Sequence, residues 1–124
     1  MRQLLLGPFT NGEIPEDQTI AFAPVDKDYT GYVLSFATEK GGTPGNTGDG
    51  TDVTLTGTIE WLDQTKGVAY VRFADGDLVN EGTDPLWYLI QLWAYKSVTP
   101  KRKTATIAIG FYVEPAVGTG APAT

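Results

Sequence analysis

Val53-Thr54-Leu55-Thr56-Gly57-Thr58-Ile59-Glu60-Trp61-Leu62 is the stretch that decides the fold. Val53, Leu55, Gly57, Ile59 and Trp61 alternate with Thr54, Thr56, Thr58 and Glu60. Successive side chains of a strand point to opposite faces, so a strict period of two marks a half-buried antiparallel strand. Threonine suits the wet face of such a strand, because a β-branched side chain packs well on a pleated surface. Asp63-Gln64-Thr65-Lys66-Gly67 then reads as a turn with glycine at its end, and Val68–Phe73 alternates again. The two runs predict a β-hairpin spanning Val53 to Phe73.

Working outward, the same period recurs. Tyr32, Leu34 and Phe36 share one face of Gly31–Thr38, with Val33 and Ser35 opposite. In Thr104–Val113, Ala105, Ile107, Ile109, Phe111 and Val113 alternate with Thr104, Thr106, Ala108, Gly110 and Tyr112. Trp87–Tyr95 is apolar on both faces, as a central strand covered on each side should be. Gln18–Ala23 and Gln3–Leu6 are shorter strands. No long segment carries a 3.6-residue apolar stripe, and at most one helical turn is expected around Asp75–Asn80. Short strands at about ten-residue spacing predict an all-β, immunoglobulin-like antiparallel β-sandwich of about seven strands. A small closed barrel is the alternative, because periodicity does not distinguish sheet closure.

Two segments fall outside the pattern. Glu39–Asp52 has five glycines and no aliphatic or aromatic side chain, so it reads as a long solvated loop. Glu114–Thr124 is rich in proline, glycine, alanine and threonine, and reads as an extended C-terminal arm, flexible or partner-bound. The expected organisation is therefore a sandwich domain over residues 1–113 and an arm over residues 114–124.

Composition narrows the chemistry. The chain has 124 residues, no cysteine and no histidine. That excludes disulfides, thiolate zinc sites, cysteine nucleophiles and histidine acid–base chemistry. A formal charge of -6 has the wrong sign for a nucleic-acid binder. Leu4-Leu5-Leu6 ahead of Gly7-Pro8 is too short for a secretory core, and Leu86–Tyr95 is too short for a spanning helix. The expectation is a protein made in a cytoplasm, with no membrane and no nucleic acid among its partners.

The carboxylates read as turn and surface groups. Glu60 lies on a wet strand face; Asp63, Asp75 and Asp77 lie in turns, where aspartate caps backbone amides. No pair resembles the facing carboxylates of a glycosidase. Asp26-Lys27-Asp28-Tyr29-Thr30-Gly31 begins like a calcium loop, but Ala37 stands where the bidentate glutamate belongs. A looser calcium site involving Asp75, Asp77 or Asp84 is the remaining metal reading. The residues thus predict a non-enzyme without catalytic, cofactor or metal site.

Contact residues are a different matter. Lys96, Lys101, Arg102 and Lys103 gather between the last two strands around Pro100, in an otherwise acidic chain. They read as a solvated loop or as a contact to an acidic partner, and such separation of charge suits head-to-tail packing. Trp87, Trp93 and Tyr95 share one face of the apolar strand, with Leu89 and Gln91, while Tyr88, Ile90 and Leu92 take the other. A sandwich core uses only one face. The second calls for another subunit, the terminal arm, or a carbohydrate stacked on tryptophan.

Several segments resemble the immunoglobulin-like N-terminal domain of phage baseplate upper proteins and similar short tailed-phage virion proteins. They are Thr10-Asn11-Gly12-Glu13, the Thr19–Ala23 strand, Asp28-Tyr29-Thr30-Gly31 leading into Tyr32–Phe36, Gly57–Asp63 through Gly67–Tyr70, and Asp77-Leu78 with Glu81-Gly82. The likeness spans about Gly7 to Tyr95. It departs at Tyr29, where the family has leucine, at Asp84-Pro85, and in the longer glycine-rich loop.

The resemblance implies a structural virion protein working through protein–protein contacts, most simply a baseplate or tail adaptor. A capsid decoration (cement) protein is the alternative, and a carbohydrate-binding module the rival from another class. Partners would be other virion proteins and copies of itself in a homo-oligomer. The contact residues expected are Trp87, Trp93, Tyr95, Lys101, Arg102, Lys103, Pro115 and Val117.

Overall fold

A computed structural model describes residues 2–22, 27–96 and 103–116; the side chains of 2, 3 and 103–105 are not described. The chain is an all-β sandwich. Its strands are β1 (Arg2–Leu5), β2 (Phe9–Thr10), β3 (Gln18–Ala21), β4 (Val33–Lys40), β5 (Thr51–Val53), β6 (Thr58–Asp63), β7 (Val68–Arg72), β8 (Leu86–Tyr95) and β9 (Lys103–Glu114). One sheet has six strands in the order β1-β9-β8-β4-β5, with β2 also on β9; the other has the order β3-β7-β6. Three central strands of the larger sheet, β4, β8 and β9, face β3, β7 and β6, and β5 extends the sheet beyond β4. That is the connectivity of an immunoglobulin sandwich of the variable type.

Four sequence expectations need correction. The sandwich is not purely antiparallel, because β1 and β2 both pair parallel to β9. Val53–Leu62 is not one strand: β5 belongs to the larger sheet and β6 to the smaller, and residues 54–57 cross between them. Inward side chains keep alternating through the crossing, with Val53 and Leu55 both packed on the core, so the period hides it. The glycine-rich loop is shorter than expected, since Glu39 and Lys40 end β4 and Thr51 and Asp52 begin β5. Finally, residues 75–80 form bends and turns, and the single 3-10 turn lies at Gln64–Lys66.

The β6–β7 hairpin forms where expected. The 3-10 turn ends on Gly67 at φ 69°, a left-handed conformation that favours glycine. A Cβ at Gly67 would also meet the Tyr29 ring at 2.8 Å. Tyr29 is fully buried, stacked 5.4 Å from Trp61 and packed against Phe22 and Tyr32. At the other end of the core, Phe9, Phe73 and Phe111 form an edge-to-face triangle with centroids 5.4 Å apart. Ile20, Ile59, Val71, Ile90, Leu92, Ile107 and Ile109 fill the middle. Aromatic clusters close both ends of the core, so turns at each end are held rigidly.

Candidate functional site

Four strands build a flat face on the side of the larger sheet away from the core. β8 lies between β4 and β9, and the register sets side chains in rows across the sheet. Val33 stands beside Tyr95, Ser35 beside Trp93 and Thr106, Ala37 beside Gln91 and Ala108, Glu39 beside Leu89 and Gly110, and Trp87 beside Tyr112. Leu5 of β1 continues the Leu89–Gly110 row. Small residues make the floor and aromatic or aliphatic ones the rims. Leu5 is 68% exposed, Val33 40% and Tyr112 37%. Among the described side chains of these rows, Glu39 is the sole charged group.

Part of this face is covered by the chain itself. The glycine-rich loop turns back over the Leu89 side: Gly48 N–H donates to both Glu39 carboxylate oxygens at 3.0 and 3.1 Å. Gly41 N–H donates to the Trp87 carbonyl. Thr47, Gly48, Asp52, Leu89 and Gln91 line a space of about 300 Å³ between loop and sheet. Leu89 is consequently buried although it points away from the core.

The expected contact residues are placed as follows. Trp87 is 4% exposed, its ring edge-on to Tyr112 at 4.9 Å, and its indole N–H has no partner among the described residues. Trp93 and Tyr95 are half-buried on the same face, next to each other by strand period. Lys103 pairs with Tyr95 through the backbone, at the far end of the face from Trp87. Pro115 is half-buried just past β9. Lys101, Arg102 and Val117 lie outside the described residues.

Sequence reasoning missed two features. Tyr32, Trp61, Glu60 and Gln64 line an open cleft of about 520 Å³ where the sheets part between β4 and β6. Its polar groups are used internally: Trp61 Nε1–H donates to the Tyr32 carbonyl, and Gln64 Nε2 donates to the Tyr29 and Tyr32 carbonyls. Glu60 accepts from the Tyr70 hydroxyl, which raises the Tyr70 pKa. The second feature is an apolar cleft of about 440 Å³ lined by Leu5, Leu6, Gly7, Pro8, Pro85, Tyr112 and Glu114. Exposed prolines flanking an exposed leucine were its only trace in the sequence.

The carboxylates act as the turn reading expects. Asp28 accepts from the Thr30 hydroxyl and Thr30 N–H at 2.6 and 2.8 Å, which lowers its pKa. Asp63 accepts from the Thr65 hydroxyl. Asp77 accepts from Thr56 N–H, the Thr56 hydroxyl, Gly57 N–H and Ala74 N–H. Among the described residues no three acidic side chains converge as a metal site would require, and no helix is long and apolar enough to cross a membrane. No family model matches the chain, and no curated protein matches it significantly.

Proposed function

We propose that this chain is a structural adaptor that works through protein–protein contacts made by the outer face of the larger sheet. The observation that carries the reading is that flat face, nearly free of charge and edged by Leu5, Val33, Trp93, Tyr95 and Tyr112. Depletion of charge with aromatic enrichment is the compositional mark of an interface core. The four strands and the rows from Val33 to Trp87 span about 400 Å², from the ~4.8 Å strand spacing and ~3.4 Å rise. A standard interface buries about 800 Å² per partner, so one such contact is weak and gains strength by repetition.

Many identical weak contacts are what a particle lattice provides. The likeness of Thr10–Glu13, Asp28–Phe36 and Gly57–Tyr70 to tailed-phage modules supports a virion setting, as a baseplate or tail adaptor without enzymatic activity. The test uses Ala37→Arg, which puts a charge at the exposed centre of the face without touching the core. Mass spectrometry of purified particles should find the wild-type chain and lose the folded variant. Absence of the wild-type chain from particles, or equal incorporation of the variant, overturns the proposal.

A further inference from the structure

The two ends of the sandwich carry opposite charge. At one end Leu86 pairs with Val113, so Asp84, Pro85 and Glu114 lie together. Asn80 ties the same end, donating to the Asp84 and Val113 carbonyls at 2.7 Å while its backbone N–H reaches Asn11 Oδ1. Asn11 N–H donates to the Glu114 carbonyl, and Glu13 caps Thr10 beside it. Glu81, Asp84 and Glu114 are exposed and have no basic partner; among the described residues the ion pair is Arg72–Asp17.

At the other end Tyr95 pairs with Lys103, and Lys96 follows with its ammonium 5.2 Å over the Tyr32 ring. Lys27 sits over Tyr29 at 5.1 Å, and exposed Lys66 lies in the turn whose Gln64 binds Tyr29 and Tyr32. The local carboxylates, Asp28 and Asp63, are each engaged by a threonine hydroxyl. In sequence, Val98, Pro100, Lys101 and Arg102 join Lys96 to Lys103. The ends are about 30 Å apart along β8, and charges are screened beyond roughly 8 Å at physiological salt. Neither end therefore neutralises the other within one copy.

The acidic end also holds the apolar cleft, with Glu114 in its wall and Pro85 next to Asp84. A partner for it needs cations beside a small apolar tip. The basic end of this same chain has both, in Val98 and Pro100 next to Lys101-Arg102-Lys103. We infer that copies of the chain associate head to tail, the basic end of one seated on the acidic cleft of the next. Such a contact is heterologous, so each copy keeps one free end of each sign. The inference rests on the protein–protein reading but not on the virion setting, and it uses different residues from the flat face.

The experiment is light scattering of the full chain over a range of protein concentration and salt. The wild type should gain mass with concentration at low salt and lose it at high salt. K101E/R102E, and separately D84K/E114K, should each weaken association by more than about tenfold. Mixing the two variants should restore it, since each mixture holds one intact pair of ends. Circular dichroism melts show that both variants fold. A wild type that stays monomeric, or association that survives both reversals, overturns the inference. Association lost in A37R but kept in both reversals moves the self-contact to the flat face, which also overturns it while leaving the adaptor reading intact.

Discussion

Asp77→Ala should be among the most damaging single substitutions outside the apolar core. The side chain is 6% exposed, and one carboxylate gathers four donors from two segments. Oδ1 takes Thr56 N–H at 2.7 Å and the Thr56 hydroxyl at 2.9 Å; Oδ2 takes Gly57 N–H at 2.9 Å and Ala74 N–H at 2.8 Å. Truncation leaves three backbone donors without their acceptor. Each costs about 1–3 kcal/mol when buried, but the site is only partly buried and water reaches some of it, so the loss should be about 3–4 kcal/mol. Asp77→Asn separates geometry from charge. Its amide oxygen can keep Gly57 and Ala74, while its NH2 faces the Thr56 hydroxyl, which turns to accept. Only Thr56 N–H is then orphaned, and the cost falls to about 1–2 kcal/mol. Urea unfolding measures both, and melting should drop by about 10–15 °C for the alanine variant at this chain length. An alanine variant within 1 kcal/mol of wild type, or an asparagine variant worse than alanine, refutes the reasoning.

Gly57→Ala should prevent folding or nearly so, because a Cβ there runs into the Arg72 carbonyl oxygen and meets Asp77 Oδ2 at 2.9 Å; expression and circular dichroism decide it. Tyr88→Phe should cost about 1–1.5 kcal/mol in urea, since the buried Tyr88 hydroxyl donates to the Val79 carbonyl at 2.7 Å and nothing replaces it. The Arg72 guanidinium grips Asp17 through two bonds of 2.9 and 2.8 Å, and this pairing holds the Asp17 pKa below 3.8. A lowered carboxylate stabilises the fold above its unfolded pKa and loses that contribution as pH falls through the folded one. The stability difference between wild type and Asp17→Asn should thus be present at neutral pH and vanish in acid below pH 3.8, as unfolding curves across that range will show. Oligosaccharides should leave tryptophan emission unchanged, because Trp87 is buried and the Trp61 N–H is already bound; saturable quenching would move the sugar-binding reading to the Tyr32–Trp61 cleft.

The strands were legible because burial on one face writes a period of two into the chain. That period reports which side chains point inward and nothing about which strands are neighbours. Val53–Leu62 shows the limit: Val53, Leu55, Ile59 and Trp61 all meet the core, yet the backbone changes sheets between them. The change depends on Asp77, which lies some twenty positions away and holds Thr56 and Gly57 across the gap. An aspartate in a turn was readable as an amide cap; the amides it caps were not, because the contact closes only in three dimensions. The parallel pairing of β1 with β9 is hidden for the same reason, joining the two ends of the described chain. Trp87–Tyr95 announced two covered faces, but the cover over Leu89 is a glycine-rich loop with no apolar side chain to betray it. The loop is held by Glu39, whose partner Gly48 is a backbone amide and leaves no mark in composition.

The flat face and the charged ends serve assembly in different ways. The face is continuous and nearly neutral, so its attraction is short-ranged, insensitive to salt, and too small alone for a lasting complex. The ends are charged and about 30 Å apart, so attraction between copies acts along the strand direction and fades with salt. Copies joined end to end would carry their flat faces along the side of the array rather than inside the joint. Each further copy then adds one more face to the same target at high effective concentration. Weak docking by a single copy and firm docking by an array follow from the same coordinates. Charge reversal at either end should therefore weaken target binding far more than its own distance from the face would suggest, whereas a face variant should abolish target binding and leave the array whole.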